Sequence, residues 1–462
     1  MKWLKKYIAI FIMLSVFPVI WVIGKMFVLD ASTEIYAYIP QESDIVIEIN
    51  NPNFIEEFAY QRIFNESYVL EKISIEEAAV EDFKTGVDYF SKIVLFREQW
   101  ANEDIWIAIV GYTNQDHFRQ YMSRRMKDAH IQFGEKHAIV QLNKSMNQEQ
   151  LDEHLKAIAN KEIKPFTARV DLRSYFHKDK EINCYFIPPS SNTSNQLIDG
   201  FLNLDFHQDH IDIQGEFTPV SGFDQHAPIA YSIDENAAFS LRSSLNIFNS
   251  IFWFSSERIE NLPAHDQMAL DYDGVKVFLV DKNWGYEFPF KTFPELEMRI
   301  DFNKQEKWSA FLDTLQSHQK IRLDTTTKIL TTRQGAFFQY DLSGDRFEMS
   351  YKGTNFEPSE NQDIYFDFQM KIKPLLDNTK FAVDDDNPPP VEFQMIGMSI
   401  AEEMLDELYV FDNIEQIRFQ MIKESENKVA ANGKVIMSNK EGQSVIEGMY
   451  FITEAMFFIK DF

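Results

Sequence analysis

Gln115-Asp116-His117-Phe118-Arg119-Gln120-Tyr121-Met122 returns, 190 positions later, as Gln305-Glu306-Lys307-Trp308-Ser309-Ala310-Phe311-Leu312. The aromatics fall three apart in both stretches, Phe118 with Tyr121 and Trp308 with Phe311, which places each pair on one helical face. Each copy follows a strand-like run, Ile105–Val110 in the first and Leu296–Phe302 in the second. A strand-then-helix unit met twice marks an internal duplication. It predicts that all four rings lie beneath their helices against a sheet.

Other landmarks keep the same order. Tyr38-Ile39-Pro40, the strand Asp44–Ile49 and the helix-like Phe54–Phe64 match Tyr231-Ser232-Ile233, Ala237–Leu241 and the helix-like Leu245–Phe254, with Tyr231 lying 193 positions after Tyr38. Ile93–Phe96 corresponds to Val275–Val280, and Pro188-Pro189 to Pro388-Pro389-Pro390. A hairpin closes each copy: Phe201–Phe206 with Ile211–Phe217, then Ile417–Ile422 with Val429–Met437. The helix-like Met398–Leu408 has no counterpart in the first copy. Ile211-Asp212-Ile213-Gln214-Gly215-Glu216-Phe217 alternates with period two, as a half-buried antiparallel strand does. The expected fold class is α+β: two tandem related units of antiparallel sheet, residues 31–225 and 226–462, with helices packed on one face.

Tyr38-Ile39-Pro40 opening a strand, Gly86-Val87-Asp88 leading into Ile93–Phe96, and the Gln-acid-x-aromatic helix together resemble membrane-anchored bacterial envelope proteins of the domain-of-unknown-function families. In the second copy Gly86-Val87-Asp88 becomes Asp271-Tyr272-Asp273-Gly274. Those families carry no assigned catalytic residues, so the resemblance implies a compartment and no chemistry.

The N-terminus carries the same implication independently. Lys2, Lys5 and Lys6 precede an apolar run from Tyr7 to Gly24, and Lys25 is followed by more apolar residues to Leu29. As a helix, Tyr7–Gly24 rises roughly 27 Å and Tyr7–Leu29 roughly 34 Å, bracketing a hydrocarbon core of about 30 Å. Residues 7–29 are therefore expected to be a transmembrane signal-anchor. The leading lysines keep the N-terminus cytoplasmic and send residues from 31 onward outside, into the periplasm. A cleaved secretory signal shares the same charge and hydropathy pattern and stays open as the alternative. Lipid attachment does not fit, because Cys184 is the one cysteine and lies far from the apolar run.

Removing the four lysines and one aspartate of residues 1–30 from a net charge of −27 leaves −30 on the remainder. That charge repels phosphate backbones, so no nucleic-acid partner is expected. With 42 Phe, 18 Tyr and 7 Trp, the chain can still bury a sizeable core. Its 16 glycines in 462 residues are about half the usual share, which disfavours Gly-rich phosphate loops. One cysteine forms no internal disulfide.

The nearest approach to a metal site is His207-Gln208-Asp209-His210-Ile211-Asp212, which offers imidazole and carboxylate ligands. Its place at a hairpin turn explains the same residues without an ion, and the second copy has Lys423-Glu424-Ser425-Glu426 there. Asp384-Asp385-Asp386-Asn387 lacks the ligand spacing of a calcium loop. Asn65-Glu66-Ser67 and Asn192-Thr193-Ser194 are glycosylation sequons, which carry meaning only in a pathway that modifies them. Ser221 and Ser343 adjoin glycine without forming a nucleophile elbow, and Cys184 reads as a strand residue. No catalytic, cofactor-binding or metal residue is assigned. An outer-membrane barrel, suggested by terminal Phe462, conflicts with polar runs such as Asp341–Met349. These observations point to a non-enzymatic, membrane-anchored extracytoplasmic binding or scaffolding protein whose partner is another envelope protein. The alternative is a carrier of a lipid or other apolar ligand.

Overall fold

The structure is a computed structural model, which describes residues 34–51, 53, 86–88, 91–100, 103–126, 130–143, 148–176, 180–187, 197–207, 209–220, 223, 227–245, 250–252, 258–260, 262–279, 290–332, 336–351, 356–359, 363–378, 380–383 and 414–437. They form an α+β fold, mostly antiparallel sheet with a few helices. They divide into two compact units, one drawn from Met1–Ile187 and Phe201–Gln208, the other from Pro188–Gly200 and Asp209–Lys440. The expected span at residues 7–29, the helix-like Phe54–Phe64 and Met398–Leu408, the two proline runs, both sequons and Asp384–Asn387 lie outside the described residues. Among the described residues, no helix is long and apolar enough to cross a membrane.

The first unit is built on β1 (Ile45–Ile49), β2 (Ile93–Trp100), β3 (Glu103–Gly111), β4 (Ile131–Phe133), β5 (His137–Gln141) and β6 (Ile182–Phe186). Their antiparallel pairings give the order β6-β1-β2-β3-β5-β4. Helix α1 (Gln115–Arg125) follows β3 and starts where the Asn114 side chain accepts a hydrogen bond from the His117 amide, satisfying one of the free first-turn donors. Gly86, at φ +72°, lies against that helix start, where a Cβ would stand 2.4 Å from the Asn114 carbonyl oxygen and 2.5 Å from the Phe118 nitrogen. Only glycine fits this approach.

Two faces of this sheet are covered differently. On one, Phe118 is fully buried, with its ring 5.9 Å from Phe133. On the other, α2 (Gln148–Ala159) sets Leu151, Leu155 and Ile158, spaced as one helical stripe, into a core with Val94, Phe96, Ile105 and Ile107. Fully burying side chains of this size contributes about 1.5–3 kcal/mol each, which outweighs the modest intrinsic preference of a 12-residue helix. His154 anchors α2 further, its Nε2 standing 2.6 Å from Glu98 Oε1 while its ring stacks on Trp100 at 4.1 Å.

The strand β7 (Leu197–Phe206) contributes residues to both units. The second unit comprises β8 (His210–Pro219), β9 (Phe239–Ser243), a small hairpin of β10 (Ser250–Phe252) and β11 (Arg258–Glu260), β12 (Gln267–Leu279), β13 (Phe290–Asp301), β14 (Ile321–Asp324), β15 (Ile329–Thr332), β16 (Phe337–Ser343), β17 (Arg346–Ser350), β18 (Ile364–Lys371), β19 (Lys380–Val383), β20 (Ile414–Ser425) and β21 (Lys428–Met437). Its pairings run β8-β21-β20-β18-β9-β12-β13-β17-β16-β15-β14, with β19 added in parallel to β12. Helix α3 (Gln305–Ser317) follows β13, and α4 (Ile372–Asn378) follows β18. Trp308 of α3 is 2 % exposed, stacked on Phe302 at 5.4 Å and on Phe347 at 6.3 Å.

Several expectations need adjustment. Phe118 and Trp308 are buried, but Tyr121 and Phe311 are half-buried, and the apolar stripe continues instead through Met122 and Leu312. A four-residue step keeps closer to the helix centre line than a three-residue one. The stretch Leu245–Phe254 holds the strand β10, where Ile251 pairs with Ile259. Its β-branched and aromatic residues suit a pleated ribbon. The hairpin expected at Ile417–Ile422 and Val429–Met437 is β20–β21. Strand β8 pairs along β21, from Phe217↔Val429 to His210↔Ile436.

Candidate functional site

Asp271 of β12 lies directly opposite Glu297 of β13, and Asp273, in the bulge that follows Tyr272, lines the same cavity as Glu295. Like charges opposite one another in a sheet are destabilising. The next strand supplies the compensation. Arg242 of β9, 1 % exposed, grips Asp271 with two parallel bonds, Nη1 to Oδ1 at 2.8 Å and Nη2 to Oδ2 at 2.7 Å. It also donates to the carbonyls of Ser232, Leu241 and Leu270 at 2.8–3.1 Å, and its guanidinium lies 4.9 Å from the Phe356 ring centre. Ser240 Oγ donates to Asp271 Oδ1 at 2.5 Å. A buried guanidinium with this many acceptors is the arrangement in which an interior charge is tolerated.

Above these strands, the segment Ser232–Asn236 and Glu357 enclose a cavity of about 540 Å³. Among the described residues, Asp234, Glu235, Asp271, Asp273, Glu295, Glu297 and Glu357 line it with one cation, Arg242. The balance is six negative charges when all are ionised. Their crowding is felt at Asp273, whose carboxyl is held above the usual range by burial and then by the charges of Asp234, Glu295 and Asp271, although its Oδ1 accepts the Ala238 amide at 2.9 Å. Beside Arg242 on the other flank, Asp367 of β18 is 5 % exposed, and burial likewise raises it. Gln420 donates to its Oδ2 at 2.8 Å. At the edge of the same face Tyr231 donates its hydroxyl to Asp301 Oδ2 at 2.7 Å, and burial first, then that bond, push the phenol up to about 12.

The cavity offers hydrogen-bond acceptors at high density and few donors. Chemically it suits a cationic or multiply donating group and opposes an apolar one. In the sequence Asp271-Tyr272-Asp273-Gly274 stands only as a departure from Gly86-Val87-Asp88, and no motif marks Arg242, Glu295 or Glu297. The available signal was acids at alternate positions on two successive strands.

The residues singled out from the sequence lie elsewhere. His207 follows β7 in the first unit, and His210 and Asp212 belong to β8 in the second. Their nitrogens already have carboxylate neighbours: His207 Nε2 is 3.5 Å from Asp205, while His210 Nδ1 is 2.6 Å from Asp209 and its Nε2 3.5 Å from Asp212. Cys184 sits in β6 opposite Ile47, where burial pushes its thiol up to about 12, the reverse of a reactive thiolate. Ser343 ends β16, exposed. No family model, curated protein or solved structure matches this chain.

Proposed function

We propose that the chain is a membrane-anchored, extracytoplasmic envelope protein of non-enzymatic binding type. In this reading residues 7–29 span the inner membrane, and two tandem related units stand outside, the second carrying the binding cavity. It extends the resemblance to membrane-anchored envelope proteins to what this chain's own units hold.

The duplication draws its support from register. The first unit's order β6-β1-β2-β3-β5-β4 reappears as β18-β9-β12-β13-β17-β16. Glu48 pairs with Val94 and Asn183, and Arg242 pairs with Ala269 and Asp367 in the same places. Ile107 lies between Phe96 and Gln141, and Glu297 between Asp271 and Ser350. Loop bonds repeat as well. The Asp88 amide donates to the Gly111 carbonyl at 2.9 Å and the Asp266 amide to the Asp301 carbonyl at 2.8 Å. Gly86-Val87-Asp88 thus corresponds to Ala264-His265-Asp266, and Asp271–Gly274 belongs to β12. Pro40 bridges Pro165 as Tyr231 bridges Pro358, which moves the tyrosine match by two positions.

The single observation that carries the binding role is that one unit packs this sheet face with apolar side chains while the other lines it with carboxylates around a cavity. An apolar-ligand carrier is disfavoured by that lining. The placement is tested by a Cys184→Ser, Ser343→Cys chain in spheroplasts: a membrane-impermeant maleimide should label it before lysis. Labelling only after lysis would overturn the topology.

A further inference from the structure

We propose that Lys92 and Asn183 join in an intramolecular isopeptide bond, which the chain forms by itself with Glu48 as proton carrier and which ties β2 to β6 across β1. Glu48 lies on β1 directly opposite Asn183 of β6, and Lys92 immediately precedes β2 on the other side. Lys92 Nζ donates to Glu48 Oε1 at 3.2 Å, and Asn183 Nδ2 donates to the same oxygen at 3.1 Å. The Tyr36 hydroxyl donates to the other oxygen, Oε2. Glu48 and Asn183 are fully buried and Lys92 is 9 % exposed, in the unit whose core gathers Val46, Val94 and Phe96 under α2. One carboxylate oxygen thus bridges an amine nitrogen and an amide nitrogen out of reach of bulk water.

Those are the parts that transfer of an acyl group from nitrogen to nitrogen requires. Passing one proton from the Lys92 ammonium to Glu48 leaves both groups neutral, which removes the cost of holding two ions out of water and frees an electron pair on Nζ. Nζ then forms a bond to Asn183 Cγ, and the double bond to Oδ1 opens to a tetrahedral centre. Glu48 gives its proton to Nδ2 and takes one from Nζ, the exchange for which its bridging oxygen is placed. As the double bond to Oδ1 re-forms, the bond from Cγ to Nδ2 breaks. Ammonia leaves and carries off the proton on Glu48 as ammonium, so the carboxylate is restored and nothing is oxidised or reduced. The burial that excludes water also excludes hydrolysis of the amide. The chain's one cysteine cannot supply such a covalent tie within the chain. In the paired-unit reading the corresponding places hold Gln267, Arg242 and Asp367, with no lysine among them, so one bond per chain is expected.

The test is mass spectrometry of the purified full chain and of its protease digest. From its observed first residue, the parent is expected to weigh one ammonia less than its sequence requires. Its digest should contain a branched peptide that joins a Lys92 fragment to an Asn183 fragment. Lys92→Arg, which keeps a cation beside Glu48, and Glu48→Gln should each weigh what their sequences require and release the two fragments separately. Lys180→Arg, at a lysine paired with Asp205, should keep the branched peptide. A parent with no mass deficit, cut by trypsin after Lys92, would overturn the proposal, and that measurement decides even where a variant fails to fold. Loss of ammonia without the branched peptide, as a succinimide at Asn183 would give, would overturn it too. So would a branched peptide formed equally well in Glu48→Gln.

Discussion

Glu48 in the first unit and Arg242 in the second hold the same place in the strand ladder, each on the strand between the two central neighbours, and each is at most 1 % exposed. Their signs are opposite and so are their surroundings. Glu48 takes hydrogen bonds from Tyr36, from Lys92 at 3.2 Å and from Asn183 at 3.1 Å, amid an apolar face sealed by α2. Arg242 is held by Asp271 and three carbonyls on a face where carboxylates continue outward into a cavity. The other face is apolar in both units, built around Phe118 in one and Trp308 in the other. The difference teaches that one sheet face is free to change its chemistry when its neighbour alone maintains the core.

The largest effects should come from breaking the two buried charges. Arg242→Met strands Asp271, and Glu48→Leu takes a buried carboxylate from Lys92, so each is expected to cost about 3–5 kcal/mol in denaturant titrations. Arg242→Met combined with Asp271→Leu should recover part of the loss, because Asp271 is then no longer an orphan charge. A single Arg242→Met that melts like the parent would show the pair to be incidental.

Phe118→Ala and Trp308→Ala should each cost about 3–5 kcal/mol, the range for emptying a large aromatic site. Near-equal losses in the two variants would sharpen the paired-unit reading. A large loss in one and almost none in the other would break it.

A smaller effect separates Val87 from His265, which the paired-unit reading sets in corresponding loop positions. Burial lowers His265 from 6.5 to about 4, so the folded state binds fewer protons than the unfolded one between those values. The stability this confers is complete above pH 6.5 and is lost as pH falls toward 4, by about 3 kcal/mol. His265→Val should flatten that portion of the stability–pH curve measured by urea unfolding. An unchanged slope would remove His265 from the account.

Asp273→Asn should give the smallest change and in the opposite sense. Its folded carboxyl sits above the ordinary 3.8, so ionisation penalises the folded state as pH rises through that raised value. The variant should therefore gain stability at neutral pH and gain nothing near pH 3. A loss at neutral pH would mean that its bond from the Ala238 amide outweighs the repulsion around it.

How much of this was legible depended on what hydropathy encodes. The strand-then-helix order is legible because strand, turn and helix are rigidly linked: Tyr112 lies by Phe118 before and on the first helix, and Phe302 by Trp308 before and on the second. Ile93–Phe96 and Val275–Val280 share apolarity, and in the ladder Ile93 pairs with Ile49 and Met268 with Ser243. Within 13-residue β12, the more apolar half attracted the match. Tyr38 and Tyr231 are identical residues in different settings: one ends a 3-10 turn and the other forms an isolated bridge. The cavity escaped notice for a different reason. Asp271, Asp273, Glu295 and Glu297 read as wet faces of two separate strands, and only register reveals that they converge.

The place of β1 has a consequence for how the chain is assembled in time. Glu48 lies 44 positions before Lys92 but 135 before Asn183. At a synthesis rate of about 5–20 residues per second, β2 is available to β1 on the order of 5–20 s before β6 emerges. Through that interval one edge of β1 is bare, with its amides and carbonyls open to any extended segment nearby. The same wait is imposed on β9, which meets β12 first and is closed on its other edge only when Ile364–Lys371 arrives. Sheets closed by such distant strands fold slowly.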